Sequence, residues 1–370
     1  MGKRTLLISH THSAVDNVLL RLTTDSDVKF VRLGAPDKVH YLLRPHNLET
    51  LLSKQISSNV SRSDPSWSTA LCSQLVKYVD EIMTQSTLVG CTALAAAGHE
   101  ALARRKFDVV VVDEATQLLL PTALGGLLRL EPDSSQFVLV GDENQLPPLV
   151  QSSVARDLGL GTSLFAHLSG IVHRHGNTQV PEEADSLGSC LVQLKAQYRM
   201  NSHILRLANT LFYNDAMECA SDEVANRTLE LNQSIIGGST SWLNRVLASK
   251  IEDSVIFLDT QSICKHLGGN SNLIEIDIVY KVVAAFTKRG ISTNDIGVIA
   301  PYRVQVDFLI ERLRGDKFVE TDLIPSSPAV EVSTADQFQG RDKPLIIVSF
   351  VDCLRQKGRQ TDTVVIKLHT

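Results

Sequence analysis

Two adjacent carboxylates follow a strongly apolar run, and they are the first residues in the chain whose types and spacing point to chemistry. Asp113 and Glu114 come directly after Val109-Val110-Val111-Val112. A carboxylate at the end of such a buried strand can hold Mg²⁺, and its neighbour can orient or deprotonate an attacking water molecule. The alternative is that the acidic pair caps the next helix, because the helix dipole stabilises carboxylates at its N-terminus. Taken alone, the pair leaves both interpretations open.

A second polar loop follows the next predicted strand, and it favours the catalytic interpretation. Residues 137–148 read Phe-Val-Leu-Val-Gly-Asp-Glu-Asn-Gln-Leu-Pro-Pro. In a doubly wound sheet, ligands bind at the carboxyl ends of the strands. Gln145 can both donate and accept hydrogen bonds, so it can sense a phosphate group or its attacking water. A proline-stiffened turn with incidental polar residues is the alternative.

The elements that must position these loops alternate between short apolar runs and amphipathic stretches of helical length. This pattern predicts α/β architecture with parallel sheets covered by helices. A polar stretch at 173–189 is the expected connection between two lobes, which we place at residues 1–185 and 186–370. Ser/Asn-rich segments at 47–67 and 219–249 are predicted as surface excursions. Strands are predicted at 5–9, 28–33, 86–91, 107–112, 136–140, 191–195, 254–258, 296–300, 330–333 and 345–351, and helices at 13–22, 273–288 and 304–313.

Composition excludes several classes of protein. With 370 residues, 43% of them hydrophobic, the chain can bury sizeable cores, and its net charge of -5 provides no overall attraction for nucleic acid. The apolar runs are too short to cross a membrane, and the N-terminus has neither a secretory nor a transit pattern. The six cysteines form no Cys-x-x-Cys pair, so neither a zinc site nor a disulfide framework is expected. These features predict a cytosolic or nuclear protein.

Four segments follow one another as the motifs of superfamily-one helicases do, and the chain resembles that family from about Lys3 to Val351. The segments are Asp-Glu-Ala-Thr-Gln (113–117), Gly-Asp-Glu-Asn-Gln-Leu-Pro-Pro (141–148), Gln-Tyr-Arg-Met (197–200) and Asp-Gln-Phe-Gln-Gly-Arg-Asp-Lys (336–343). The resemblance implies two RecA-like lobes with parallel sheets flanked by helices. It also implies that the first lobe lacks the strand and helix of its phosphate loop.

Within the superfamily, the chain is most similar to the eukaryotic DNA replication ATP-dependent helicase/nuclease family. Segment 9–17 (Ser-His-Thr-His-Ser-Ala-Val-Asp-Asn) and the run Val-Arg-Leu-Gly (31–34) carry this similarity. The RNA relative in nonsense-mediated decay usually has Glu where Asp342 stands, so the DNA member is favoured. The resemblance implies an ATP-dependent DNA helicase and single-stranded DNA translocase of replication and repair. Its expected place is the nucleus, with the mitochondrion as a second compartment of the family.

Roles for individual residues also follow from the resemblance. ATP and Mg²⁺ are the implied cofactors, with Asp113 on the metal, Glu114 as the base and Gln145 at the γ-phosphate. Tyr198 would stack on the adenine, and Arg199 would reach the γ-phosphate as an arginine finger. Gly340 and Asp342 would approach the phosphate and the ribose. For the Gln-Tyr-Arg-Met segment, an ordinary strand-to-helix cap is the alternative.

A track for nucleic acid is predicted from hydroxyl, aromatic and basic residues at other strand ends. Backbone amides and hydroxyls at a helix start can contact phosphates, although each such residue is equally expected as a helix cap. Single-stranded DNA is the expected partner, bound with little sequence preference, and the family adds a single-stranded DNA-binding protein. The track comprises Thr11, His12, Ser13, Thr92, Pro301, Tyr302, Arg303, Ser333 and Thr334.

Some family elements are expected outside this chain. Gly2-Lys3-Arg4-Thr5 is not a phosphate loop, because Lys3 precedes a strand and lacks the earlier glycine. The family's phosphate loop, its nuclease domain and the cysteines of its iron–sulfur cluster lie upstream, and its last arginine motif lies downstream. The chain alone is therefore predicted to be inactive. An inactive nucleic-acid-binding remnant and an RNA helicase of the nonsense-mediated-decay type are the alternatives.

Overall fold

The computed structural model divides the chain into two compact units, residues 1–192 and 193–370. We call them the N-terminal unit and the C-terminal unit and describe each by itself. The predicted boundary at 185/186 lies outside the described residues. The structure describes residues 3–24, 28–59, 67–133, 135–176, 190–232, 241–260, 270–314, 329–351 and 363–369.

A five-stranded parallel sheet forms the centre of the N-terminal unit. Its spatial order is β2-β3-β1-β4-β5, so the first strand along the chain lies in the middle. Leu6 and Ile8 of that strand are fully buried, as expected for an apolar run covered on both faces. The five predicted strands are confirmed within two residues at each end. Their bounds are β1 Thr5–Ser9, β2 Phe30–Arg32, β3 Leu88–Thr92, β4 Val109–Val112 and β5 Gln136–Leu139.

Helices pack closely against this sheet. Helix α1 packs so closely on β3 that a Cβ atom placed on Gly90 would lie 2.7 Å from Leu19 Cδ1. The predicted surface excursion at 47–67 is wrong over 48–59, because Leu48 is buried in the core and starts a helix. The helices of this unit are α1 His12–Leu22, followed by Leu48–Asn59, Trp67–Gln85, Ala93–Gly98, Leu120–Leu127, Ser153–Ala155 and Leu164–Gly176.

The C-terminal unit has its own five-stranded sheet, in the order β10-β9-β11-β12-β8. The pairs of β9 with β10 and with β11 are parallel, as predicted, whereas β12 pairs antiparallel with β11 and β8. The strand predicted at 191–195 is wrong, since only Ala196–Gln197 (β6) pairs, with Glu218–Cys219 (β7). The main strands are β8 Ile256–Asp259, β9 Ile296–Ala300, β10 Glu331–Thr334, β11 Leu345–Ser349 and β12 Thr363–His369.

Two long helices, Leu273–Lys288 and Arg303–Arg314, cover this second sheet and confirm the helices predicted at 273–288 and 304–313. The excursion predicted at 219–249 is partly wrong, because Val246 and Leu247 pack in the hydrophobic core. None of the helices in the described ranges is long and apolar enough to cross a membrane. The helices of this unit are Ser202–Ala208, Asp222–Ala225, Ser241–Val246, Leu273–Lys288, Arg303–Arg314 and Ala335–Phe338.

Candidate nucleotide and nucleic-acid sites

The acidic pair leaves the carboxyl end of β4 in a strained turn. Glu114 has φ 52° and ψ 43°, a left-handed conformation that costs a non-glycine residue about 1 kcal/mol. Its side chain makes no capping hydrogen bond to the turn that follows, so the helix-cap interpretation does not describe it. Instead, Gln117 Nε2 donates to Glu114 Oε2 at 2.9 Å. Strain of this kind is typical of functional sites, where surrounding contacts hold a residue in an unfavourable conformation.

Asp113 is partly buried, and this burial affects its charge. Desolvation raises the pKa of Asp113 above the ordinary aspartate value, while a hydrogen bond from the Glu114 backbone and the charge of Arg21 oppose the shift. A carboxylate that is costly to ionise gains from a nearby cation. The side chain therefore suits a metal ligand.

The glycine loop after β5 lies directly against the acidic turn. Ala115 N donates to Val140 O at 2.8 Å, and a Cβ atom on Gly141 would lie 3.0 Å from Thr116 Cγ2. Only glycine allows this approach without a shift of the neighbouring loop. Gln145 lies further along the same loop, exposed, with its Nε2 donating to Asp142 Oδ2 at 2.9 Å. Asp113, Glu114 and Gln145 thus extend from adjoining loops at one edge of one sheet.

The donor set fits Mg²⁺ bound together with phosphate. No cluster of three or more histidine, cysteine or acidic side chains that could hold a metal by itself occurs in the part of the chain that the structure describes. Mg²⁺ in nucleotide sites uses one or two carboxylates and completes its octahedron with phosphate oxygens and water. Asp113 supplies a carboxylate of that kind.

Residues predicted for nucleic acid in the N-terminal unit lie at the same edge of the sheet. Ser9 of β1 is paired in register with Thr92 of β3, so Thr11 and Thr92 both follow neighbouring strand ends. Both threonines cap helices: Thr11 Oγ1 accepts from Ala14 N at 3.2 Å and Thr92 Oγ1 from Ala95 N at 3.4 Å. Ser13 Oγ lies 3.1 Å from Thr11 Oγ1. These contacts agree with the capping alternative, and binding by the same residues stays a prediction.

In the C-terminal unit, a buried glutamine shapes the turn that presents Tyr198 and Arg199. Gln197 Oε1 accepts from Arg199 N at 2.9 Å and from Met200 N at 2.6 Å, while its Nε2 donates to Met200 O at 2.6 Å. Tyr198 is left 73% exposed. The turn holds both predicted nucleotide-binding residues at the surface.

Arg199 is already oriented toward the other predicted nucleotide-binding motif of this unit. Its Nε lies 3.4 Å from Asp342 Oδ2, in an ion pair whose side chains are both more than half exposed. Gly340 has φ 76°, a backbone conformation that glycine adopts without strain. The ion pair between Arg199 and Asp342 therefore joins the motif at 197–200, which holds Tyr198, to the motif at 336–343, which holds Gly340.

The remaining predicted contacts lie at the ends of β9 and β10. Thr334 is paired in register with Ala300, so the residues after both strands share one edge of the sheet. Pro301 and Arg303 are exposed and Tyr302 is partly buried, whereas Ser333 and Thr334 are less than a tenth exposed. Ser333 Oγ has no hydrogen-bond partner among the described residues.

Sequence reasoning missed four residues that position these side chains. Gln117 holds Glu114 and Gln197 holds the Tyr198 turn, and both stand inside helicase-like motifs, at 113–117 and 197–200, in which no role was predicted for them. Arg32 and Asp16 form a buried ion pair, Nε to Oδ1 at 2.7 Å, next to His12. A charged residue in an apolar strand such as Phe30–Arg32 is the signal that could have identified this pair.

Comparison with known proteins gives two matches along the chain. Residues 58–153 match one AAA domain family and residues 177–363 match another. The second match covers just over half of the 370 residues. The chain belongs to the AAA domain family.

The chain is also similar in sequence to helicase/nucleases of several eukaryotes. It is 36% identical to the DNA replication ATP-dependent helicase/nuclease DNA2 of Xenopus laevis over 95% of its length, and 36% identical to that of Homo sapiens over 95%. The DNA replication ATP-dependent helicase/nuclease JHS1 of Arabidopsis thaliana is 35% identical over 97%. The chain spans 30%, 30% and 23% of these relatives. The predicted family resemblance is confirmed.

Proposed function

We propose that the chain is the ATP-driven motor core of a DNA helicase that translocates on single-stranded DNA in replication and repair. The observation that carries this proposal is the contact between the acidic turn after β4 and the glycine loop after β5. It brings Asp113, Glu114 and the loop of Gln145 to one edge of a parallel sheet, where ligands of such sheets bind.

In the proposed reaction each residue of the N-terminal unit has a separate task. Magnesium-bound ATP supplies the phosphoryl group whose transfer to water releases the free energy for movement. Asp113 would hold the metal, which relieves the cost of its buried charge. Glu114 would accept the proton of the attacking water, and the hydrogen bond from Gln117 to its Oε2 holds the carboxylate in one orientation. Gln145, on the adjoining loop, would respond to the state of the phosphate through its amide, which can donate and accept hydrogen bonds.

The C-terminal unit would contribute stacking and positive charge. Tyr198 presents an exposed ring on which an adenine can stack. Arg199 can exchange its ion pair with Asp342 for a phosphate at little cost, because an exposed pair contributes only about 0–1 kcal/mol. A planar guanidinium stabilises charge that develops on the transferred phosphoryl group.

The nucleic-acid partner is proposed to be single-stranded DNA, held at the strand ends that carry the residues of the predicted track. Thr11, His12, Ser13 and Thr92 lie at one such edge, and Pro301–Arg303 follow β9 at the other. Contacts of this kind engage mainly the backbone of the strand and give little sequence preference. A single-stranded DNA-binding protein is the proposed protein partner, and the nucleus is the proposed place of action.

The test is ATP hydrolysis by the full-length protein with and without single-stranded DNA. Glu114→Gln should abolish the DNA-stimulated rate, because the amide cannot accept the proton. Glu131→Gln is the matched control, since Glu131 is partly exposed and pairs with Arg4 at the opposite end of the same sheet. Equal rates for the Glu114→Gln variant and the unsubstituted protein would refute the assignment of the base. Stimulation by RNA and not by DNA would replace the proposed substrate.

A further inference from the structure

His12 lies where the structure can fix its protonation in advance of binding. It is the first residue of helix α1, half-buried, within the predicted Thr11-His12-Ser13 contact. Its ring packs against Gly34, on which a Cβ atom would lie 3.2 Å from His12 Cε1. The ring is therefore confined on one side, and its two nitrogens have distinct surroundings.

One nitrogen of His12 is taken by a buried guanidinium. Arg32 Nη2 lies 3.1 Å from His12 Nδ1 and 3.4 Å from His12 O. A guanidinium has only donors, so Nδ1 must accept and cannot carry the proton. The neutral ring then carries its proton on Nε2, which is left as a donor.

Arg32 is itself held by a buried network in which each of its guanidinium nitrogens has a partner. Its Nε donates to Asp16 Oδ1 at 2.7 Å, and its Nη1 donates to Leu33 O. Asp16 Oδ2 in turn accepts from His40 N at 2.8 Å. The side chain of Arg32 is fully buried and that of Asp16 is 6% exposed. A buried pair of this kind does little for stability compared with an apolar pair, which leaves orientation as a reason for its presence.

We infer that Arg32 and Asp16 are positioning residues that hold His12 as a neutral donor through Nε2, directed to an acceptor atom of single-stranded DNA. This inference rests on the proposed function and adds how the His12 ring is prepared for its contact with the DNA. A neutral donor displaces no counterion from a phosphate, so its loss weakens binding without changing the salt dependence of affinity.

The charged groups around the ring agree with a neutral state. Burial lowers the pKa of His12 first, and the charges of Arg32 and Lys38 lower it further, while Asp16 and Asp37 oppose them. Arg32 belongs to β2, Asp16 to α1 itself, and Asp37 and Lys38 to the turn Pro36–Lys38. DNA binding through His12 should therefore be independent of pH across the physiological range.

Two substitutions separate the two ring nitrogens. In His12→Asn the amide oxygen can replace Nδ1 as the acceptor for Arg32, but no donor reaches the place of Nε2. In His12→Gln the longer amide can place an N–H near Nε2. We expect the asparagine variant to lose roughly five- to tenfold in affinity for a fluorescent oligothymidylate, the effect of one hydrogen bond, and the glutamine variant to recover most of it. The slope of affinity against salt should be unchanged in both.

The tautomer is measured separately, by long-range nitrogen–proton NMR of the His12 ring in the DNA-free protein. The signals of this ring are assigned as those that are absent from the spectrum of His12→Gln. The expected spectrum has the proton on Nε2 at neutral pH. In the charge-balanced double variant Asp16→Asn with Arg32→Gln the tautomers should mix, because the glutamine amide can either donate to Nδ1 or accept from it. A proton on Nδ1, or equal affinities of the asparagine variant and the unsubstituted protein, would overturn the inference. Failure of the unsubstituted protein to bind DNA would overturn the proposed function instead, with the tautomer still decided by the spectrum.

Discussion

Removal of the buried carboxylate of Glu275 should destabilise the C-terminal unit strongly. Glu275 lies in the first turn of helix Leu273–Lys288 and is 1% exposed. Its Oε2 accepts from Ser349 Oγ at 2.5 Å and from Val351 N at 3.0 Å, and its Oε1 accepts from Asn272 Nδ2 at 3.1 Å. The carboxylate therefore ties the start of the helix to the end of β11.

The expected magnitude follows from these three hydrogen bonds. Each bond to a charged acceptor contributes about 1.5–3 kcal/mol, and Glu275→Ala leaves three buried donors without it. The loss is offset in part because the variant no longer buries a charge and admits water. We expect the free energy of unfolding to fall by about 3 kcal/mol.

The matched control is Asp277→Ala on the same helix. Asp277 pairs with Lys281 at 2.6 Å, but both side chains are about half exposed. Its loss should cost about 0.3 kcal/mol. Urea unfolding of the 370-residue chain can be followed by the fluorescence of Trp242, which packs against the core of this unit, in a Trp67→Phe background that leaves a single tryptophan in these residues. Equal effects of the two alanine substitutions would refute the reasoning.

Three further predictions concern the candidate site. Gly141→Ala should lower ATP turnover by displacing the acidic turn, whereas Gly98→Ala, with nothing within 4 Å of the added Cβ, should not. Asp113→Asn should abolish turnover but raise the urea midpoint at neutral pH. The raised pKa of Asp113 means that the folded unsubstituted protein favours the protonated acid, so its stability falls as pH rises through that pKa. The stability advantage of the variant should therefore vanish below about pH 4, where the acid is protonated in both the folded and the unfolded chain. Arg199→Ala should reduce ATP turnover at least tenfold, yet change the free energy of unfolding by less than about 0.5 kcal/mol, because its pair with Asp342 is exposed. A large loss of stability in the Arg199 variant would assign it a structural role.

The sequence predicted the parallel strands well because their signal is local. The apolar runs of β1, β4 and β9 are short and rich in β-branched or other apolar residues, which indicates buried strands without any pairing information. β12 was not predicted, although it contains the apolar run Val364-Val365-Ile366, because its place in the sheet depends on antiparallel pairing with β8 and β11. The helix Leu48–Asn59 was missed for a related reason: its low apolar content is compensated by the burial of Leu48 in the tertiary structure.

The candidate site was predicted by residue type, but its supporting contacts were not. Asp113 and Glu114 are recognisable from their spacing, whereas the left-handed backbone of Glu114 has no signature in the sequence. The role of Arg32 depends on Asp16, which is 16 positions away, and on the fold that brings both to His12. Partners of that kind become visible only when the chain is folded.

The most direct measurement of the central claim is movement along DNA. The full-length protein should displace streptavidin from the end of a biotinylated oligonucleotide when ATP is present, and Glu114→Gln should bind the same oligonucleotide without displacing streptavidin. Displacement that proceeds equally in the Glu114→Gln variant, or equally without ATP, would contradict an ATP-driven translocase built on these residues.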